Sequence, residues 1–152
     1  MRTRHFILTC FLSFFISTTV QAEVVLEDLH GQKIPFSALN GKWVFINYWA
    51  SWCQPCIEEI PELNEFYERY KNDNVVIFGV NYEALPVAEQ KQLVKEYDIR
   101  YPALTNDPAT LLKLGDIRGV PVTFVFNPQG ELSGTLYGGQ TSRSLSQIVA
   151  SR

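Results

Sequence analysis

Two cysteines three residues apart, Cys53 and Cys56, have the clearest chemistry of any side-chain pair in this sequence. They follow a continuous apolar run, Trp43–Trp49, and precede a helix-like pattern from Ile57 to about Tyr70. Side chains three apart in a helical turn have Cβ atoms roughly 5–6 Å apart, and a disulfide needs about 3.5–4.5 Å. A small local adjustment therefore lets the pair close, and reduction lets it open, without unfolding the structure around it.

The start of the predicted helix makes the first cysteine the more reactive one. Proline is tolerated in a first helical turn, so Gln54-Pro55 can open the helix. A helix N-terminus carries a positive partial charge and free backbone N–H groups, which stabilise a thiolate on Cys53. We therefore expect the pKa of the Cys53 thiol to be lowered. The pattern predicts thiol–disulfide exchange.

The first 22 residues have the layout of a secretory signal peptide. A start with two arginines is followed by the apolar run Phe6–Ile16 and by Val20-Gln21-Ala22, which fits a small-x-small cleavage site. We predict cleavage after Ala22, so that residues 23–152 form one mature domain. The alternative is an uncleaved anchor, but the apolar run is shorter than the roughly 20 residues that span a bilayer.

Charge and cysteine content narrow the class of protein. The formal net charge is −3, and removing residues 1–22 takes away two arginines and no acid, which makes it −5. Nothing in this charge indicates binding to nucleic acid. Cleavage also removes Cys10 and leaves only the C-x-x-C pair, so the mature chain is not a disulfide-stapled scaffold. His30, the one histidine left, is expected to be a solvated turn residue.

Apolar patterns divide the mature chain into strands and helices. Runs that are apolar on both faces predict buried strands, and apolar residues at three- and four-residue spacing predict helices packed on them. The predicted strands are 24–26, 34–36, 43–49, 75–80, 101–105, 122–126 and 131–137; the predicted helices are 54–70, 86–97, 107–114 and 142–150, with a helical turn at 37–41. This order predicts an α/β sandwich with a mixed sheet, preceded by an N-terminal β-hairpin.

Two polar residues near the cysteines allow more than one interpretation. Asn47 is the polar residue within an apolar strand, and a buried amide there must find hydrogen-bond partners. It could order the site or act only in the fold. Glu59 could relay a proton to Cys56, but the favoured interpretation is a solvated charge on the helix surface.

Two motifs resemble a known family. The segment Val44–Cys56 followed by Glu59-Ile60-Pro61-Glu62-Leu63 resembles the thioredoxin superfamily, and most closely its exported TlpA/ResA/DsbE-like branch. Gly119–Phe124 followed by Asn127-Pro128-Gln129-Gly130 is similar to the second landmark of that branch. The resemblance extends over essentially the whole mature chain. It implies a thioredoxin-like three-layer sandwich, with a mixed central sheet and helices on both faces.

The resemblance also implies roles for particular residues. Cys53 would be the nucleophile and Cys56 the resolving thiol, joined as a disulfide in the oxidised protein. Val120-Pro121 would contain a cis peptide bond across from the cysteines, where an extended substrate pairs with the Val120 backbone. The active-site loop would be completed by Trp52, Gln54 and Pro55.

Two departures from the wider superfamily affect the expected chemistry. Cytoplasmic thioredoxins have a buried acid where this chain has Asn47, which leaves Glu59 as the nearest candidate proton relay. Gln54-Pro55 lacks the histidine found between the cysteines of strong oxidants. Fewer groups then stabilise the thiolate, so we expect a reduction potential toward the reducing end of the range.

These features together predict a periplasmic reductase of protein disulfides that needs no metal and no organic cofactor. Its expected partners are a disulfide-containing protein substrate and a membrane electron donor of the DsbD/CcdA type, and the chain is expected to be a monomer. Cytochrome c maturation, reduction of a Dsb-type isomerase and reduction of a general periplasmic pool all fit as its process.

Other functions fit the same pair of cysteines. The nearest alternative is a periplasmic dithiol oxidase or isomerase. A peroxidase is disfavoured because Ala50 stands where a Thr-x-x-Cys arrangement needs threonine. A copper- or zinc-binding module is disfavoured because two thiols cannot complete a four-ligand site and no histidine follows Cys56. A non-catalytic binding module is the remaining alternative.

Overall fold

The computed structural model of the chain describes residues 22–151. All of the predicted signal peptide except Ala22 lies outside the described residues. None of the helices within 22–151 combines the length and the apolar character that a membrane span requires.

The described residues form seven strands, three α-helices and a short 3-10 helix. In chain order these are β1 Val25–Glu27, β2 Lys33–Pro35, the 3-10 helix Phe36–Leu39, β3 Trp43–Trp49, α1 Gln54–Tyr70, β4 Val75–Asn81, α2 Val87–Glu96, β5 Ala103–Leu104, β6 Val122–Phe126, β7 Leu132–Tyr137 and α3 Ser142–Ala150. The order agrees with the one predicted from the apolar patterns, except that the predicted helix 107–114 is missing.

Five of the strands form one mixed sheet in the order β5-β4-β3-β6-β7. Strand β3 pairs with β4 in parallel and with β6 antiparallel, which places it at the centre. Its side chains alternate between two cores. Phe45 and Trp49 pack with residues of α1 and α3, whereas Val44 and Tyr48 pack on the opposite face. Burial on both faces explains why the β3 sequence is apolar except at Asn47.

The N-terminal hairpin, β1 and β2, is a small sheet of its own. The carboxylate of Asp28 accepts the backbone N–H groups of His30 and Gln32 at 2.8 and 2.9 Å and thereby shapes the turn, in which His30 is exposed. The N–H of Leu29 donates to the carbonyl of Ala103 at 2.9 Å. The hairpin is therefore joined to the edge strand β5.

The segment 107–114 corrects one sequence prediction. Asp107 does accept the N–H of Ala109 at 2.8 Å, as a helix N-cap would. The following backbone bonds, however, span four, three and five residues, and Lys113 has a positive φ of 54°. A left-handed residue interrupts the helical hydrogen-bond pattern, so the segment remains a series of turns.

Candidate functional site

Cys53 and Cys56 are joined by a disulfide at the point where β3 leads into α1. Their Cα atoms are 5.2 Å apart. Cys53 is 5% exposed and Cys56 is 0% exposed, so a partner protein can reach the first sulfur more readily than the second.

The first turn of α1 points a backbone donor at the sulfur of Cys53. Cys53 is the N-cap residue of the helix, and the N–H of Cys56 donates to Cys53 Sγ at 3.3 Å. Pro55 lies in the first turn of α1. Backbone N–H groups there have no acceptor within the helix, so the N–H that proline lacks costs no hydrogen bond. When the disulfide is reduced, this N–H and the helix dipole would both stabilise a thiolate on Cys53.

The loop before β6 forms the other side of the site. The Val120–Pro121 peptide bond is cis, and the carbonyl oxygen of Val120 lies 3.6 Å from Cys53 Sγ. Pro121 is buried and Val120 is half-buried. Three further residues of the predicted site are exposed around the disulfide: Trp52, Gln54 and Pro55.

Glu59 and Asn47 meet in the interior. Glu59 is 3% exposed and Asn47 is 0% exposed. The Asn47 amide donates to Glu59 Oε1 at 2.7 Å and to Thr123 Oγ1 at 3.1 Å. The N–H of Gln140 donates to Glu59 Oε2 at 2.8 Å. The interpretation of Glu59 as a solvated charge is therefore wrong, because the loop between β7 and α3 covers this carboxylate.

Burial changes the proton affinity of this carboxylate. Loss of hydration raises the pKa of Glu59, and the hydrogen bonds from Gln140 and Asn47 lower it by a smaller amount, so the net pKa is raised. Glu59 follows Cys56 by one helical turn, and both are buried. The site thus contains a buried carboxyl group on the same helix as Cys56, one turn further along the chain.

Sequence reasoning did not find Thr123 or Gln140. Thr123 had a detectable signal, because it is the one polar residue in the apolar strand 122–126, as Asn47 is in 43–49. The two residues are register partners in β3 and β6. Gln140 contributes its backbone N–H, a group that every residue except proline has, and so left no signal in the sequence.

With this site on this fold, the protein falls in the class of thioredoxin-like thiol–disulfide oxidoreductases, enzymes that act on protein disulfides. It belongs to the AhpC/TSA family, whose profile matches residues 18–134. Thiol-disulfide oxidoreductase ResA of Bacillus thuringiensis subsp. konkukian is 32% identical over 125 residues, which are 82% of this chain and 72% of ResA.

Solved structures show the same similarity. StoA from Bacillus subtilis superposes with a TM-score of 0.65 at 27% identity, over 87% of this chain and 99% of StoA. A DsbF homologue from Corynebacterium diphtheriae has a TM-score of 0.72 at 26% identity, over 86% of this chain and 84% of the homologue. The thioredoxin-like fold that the sequence motifs implied is confirmed.

Proposed function

We propose that this protein is a periplasmic reductase of protein disulfides, with Cys53 as nucleophile and Cys56 as resolving thiol. The observation that carries the proposal is the arrangement of the two sulfurs. Cys53 keeps some exposed surface beside the Val120 carbonyl, at 3.6 Å, whereas Cys56 has none. A substrate backbone paired with Val120 would present its disulfide to Cys53 first.

The first step forms a mixed disulfide. The Cys53 thiolate attacks one sulfur of the substrate disulfide, and the bond between the two substrate sulfurs breaks. The other substrate sulfur leaves as a thiolate and takes a proton from water. The positive end of α1 and the N–H of Cys56 stabilise the attacking anion, which keeps a larger fraction of Cys53 reactive at neutral pH.

The second step releases the reduced substrate. Cys56 loses its proton to the Glu59 carboxylate, and its thiolate attacks Cys53 Sγ. The mixed disulfide breaks, the second substrate thiolate leaves, and Cys53–Cys56 is oxidised. Two electrons have moved from the dithiol to the substrate, and the sulfur atoms alone carry them, without a metal or an organic cofactor.

The oxidised product must be reduced again before another turnover. Two electrons have to reach a compartment that is kept oxidising, for which a membrane donor of the DsbD/CcdA type is suited. Residues 1–22, with their signal-peptide layout, support export of the chain. Apocytochrome c cysteines, an oxidised Dsb-type isomerase and a general pool of periplasmic proteins are the candidate substrates.

Trapping of the mixed disulfide tests the proposal. Cys56→Ser cannot carry out the second step, so it should accumulate adducts when its reduced form is incubated with periplasmic extract. We expect adducts that dithiothreitol releases, and none with Cys53→Ser. Absence of adducts through Cys53 would contradict the proposal, and a higher yield of adducts through Cys56 in Cys53→Ser would reverse the two roles.

A further inference from the structure

The segment Asn81–Glu83, which is the last residue of β4 and the two residues after it, holds the loop that carries the cysteines. The N–H of Tyr82 donates to the carbonyl of Trp49 at 2.8 Å. The Glu83 carboxylate accepts twice from Ser51, from the backbone N–H at 2.7 Å and from the hydroxyl at 2.9 Å. Ser51 is thus fixed at two points, two residues before Cys53.

The same segment also contacts the loop on the other side of the site. The hydroxyl of Tyr82 donates to the carbonyl of Ile117 at 2.9 Å, three residues before Val120. Ile117 belongs to the connection that leads into β6, so this bond joins the end of β4 to the loop that carries Val120. Tyr82 and Glu83 therefore connect the two loops that meet at Cys53 and Val120.

Glu83 is itself held in place. The Asn81 amide donates to Glu83 Oε2 at 3.1 Å, and the N–H of Glu83 donates back to Asn81 Oδ1 at 3.0 Å. Burial raises the pKa of Glu83, but the hydrogen bonds from Ser51 and Asn81 outweigh burial and the net pKa is lowered. The side chain is accordingly an anion at neutral pH, which is the better hydrogen-bond acceptor.

We propose that Glu83 is a positioning residue for Cys53. Through Ser51 it sets where Cys53 Sγ lies relative to the Val120 carbonyl, a distance of 3.6 Å in this structure. Glu83 touches neither the sulfurs nor, in the proposed cycle, the substrate. The inference rests on the proposed function, because the Cys53–Val120 geometry matters only when a substrate strand docks there.

Three variants of Glu83 test the role of its hydrogen bonds. Glu83→Ala removes the acceptor and the charge. Glu83→Gln removes the charge, but its amide oxygen still accepts the Ser51 N–H and its amide nitrogen can donate to the hydroxyl. Glu83→Asp keeps the charge on a side chain one methylene shorter. Glu89→Ala, at an exposed position on α2, is the matched control for loss of an acidic residue.

The measurement is the rate at which each reduced variant reduces a disulfide-bonded test protein at 25 °C. Displacement of a reacting group by about 1 Å can cost up to a hundredfold in rate. We expect the second-order rate constant of this single turnover to fall about tenfold in Glu83→Ala and severalfold in Glu83→Asp, to stay within about threefold of wild type in Glu83→Gln, and to stay unchanged in Glu89→Ala.

The pattern across the variants decides the inference. Glu83→Ala and Glu83→Gln lose the same charge, so the difference between them reports the hydrogen bonds. Equal activity in all three Glu83 variants would overturn the inference, as would an equal loss in Glu83→Ala and Glu83→Gln, which would assign the effect to charge. Should Glu83→Ala fail to fold, the other two variants decide the same question. A faster rate in Glu83→Gln than in Glu83→Asp supports the inference, and the reverse order overturns it.

Two further measurements separate positioning by Glu83 from a purely stabilising role and from failure of the proposed function. A residue that only stabilises the fold would lower Tm while leaving the rate at 25 °C unchanged, so thermal unfolding is recorded for each variant. Wild type and Cys53→Ser are run in the same assay. If wild type is no faster than Cys53→Ser, the proposed function fails; if wild type is active and Glu83→Ala equals it, only the positioning role fails.

Discussion

At the scale of single residues, Glu59 is subject to two opposing physical effects. Its carboxylate is removed from water, which disfavours the charged form, and accepts hydrogen bonds from Asn47 and Gln140, which favour it. Burial has the larger effect, so the pKa is raised. A carboxyl in this state keeps its proton to a higher pH than a solvated glutamate does.

This shift predicts a pH-dependent stability. A carboxyl whose pKa is raised by folding binds its proton more tightly in the folded state, so its contribution is fully present below the unfolded pKa of about 4.3 and is lost as pH rises through the folded pKa. Relative to Glu59→Gln, the free energy of unfolding of the wild type should therefore decrease with rising pH across this window. Urea denaturation of the oxidised proteins from pH 4 to 8 measures it.

The exposed neighbour Glu58 provides the control for this experiment. Glu58→Gln removes a carboxylate next to Glu59 in the sequence, but from the solvent-facing side of α1. Glu58→Gln removes the same charge from the same helix without touching the buried carboxyl, so its curve shows the effect of the charge change alone. Parallel curves for wild type and Glu59→Gln would show that the buried carboxyl does not titrate differently in the folded and unfolded protein.

At the scale of elements, register partners in three neighbouring strands surround the buried Asn47 amide. Asn47 pairs with Gly79 of β4 on one side and with Thr123 of β6 on the other. Gly79 leaves space that the ring of Tyr101 fills, since a Cβ atom at Gly79 would lie 3.0 Å from Tyr101 Cε2. The glycine therefore lets an aromatic ring pack beside the Asn47–Glu59 pair.

Replacing Gly79 by alanine should destabilise the protein. The added methyl group would be buried in a central strand against the Tyr101 ring, and overpacking of this kind costs about 1–3 kcal/mol. Gly134→Ala in β7 is the matched control, because nothing lies within 4 Å of its new Cβ atom and alanine is favoured over glycine in strands by roughly 0.5–1 kcal/mol. Urea denaturation should give opposite signs for the two variants; a stabilised Gly79→Ala would contradict the packing argument.

At the scale of the whole molecule, the site lies where four loops meet at one end of the sheet. The loops after β3, β4 and β7 and the loop before β6 supply Cys53, Glu83, Gln140 and Val120 respectively.

The direction of electron flow is also a property of the whole protein, because the reduction potential reflects how much the reduced form is stabilised relative to the oxidised form.

The predicted potential lies toward that of thioredoxin, about −270 mV, and away from that of DsbA, about −120 mV. The dipeptide between the cysteines offers no cation to the thiolate, so the reduced form gains little stability. Pro55→His should raise the potential by tens of millivolts, since 30 mV corresponds to about 1.4 kcal/mol. Equilibration with glutathione measures the reduction potential of each variant. Lys91→His on α2 is the control for adding a histidine away from the cysteines. A wild-type potential near −120 mV would favour the oxidase or isomerase.

The order of strands and helices could be predicted from the sequence because it depends on local periodicity. The run Trp43–Trp49 has the composition of a strand buried on both faces, and the spacing of Cys53 and Cys56 at a helix start is a local property as well. The segment 107–114 was predicted wrongly because one left-handed residue, Lys113, suffices to break a helix without changing the apolar pattern.

The sequence by itself therefore determined the fold class, the redox pair and its position at the N-terminus of α1. Only the tertiary structure decided that Glu59 is buried against Asn47 and that Glu83 holds Ser51. A helical glutamate is solvated or buried according to what packs over it, and here the cover is a loop 81 residues further along the chain. Contacts of this kind arise from the docking of distant elements, which local periodicity does not encode.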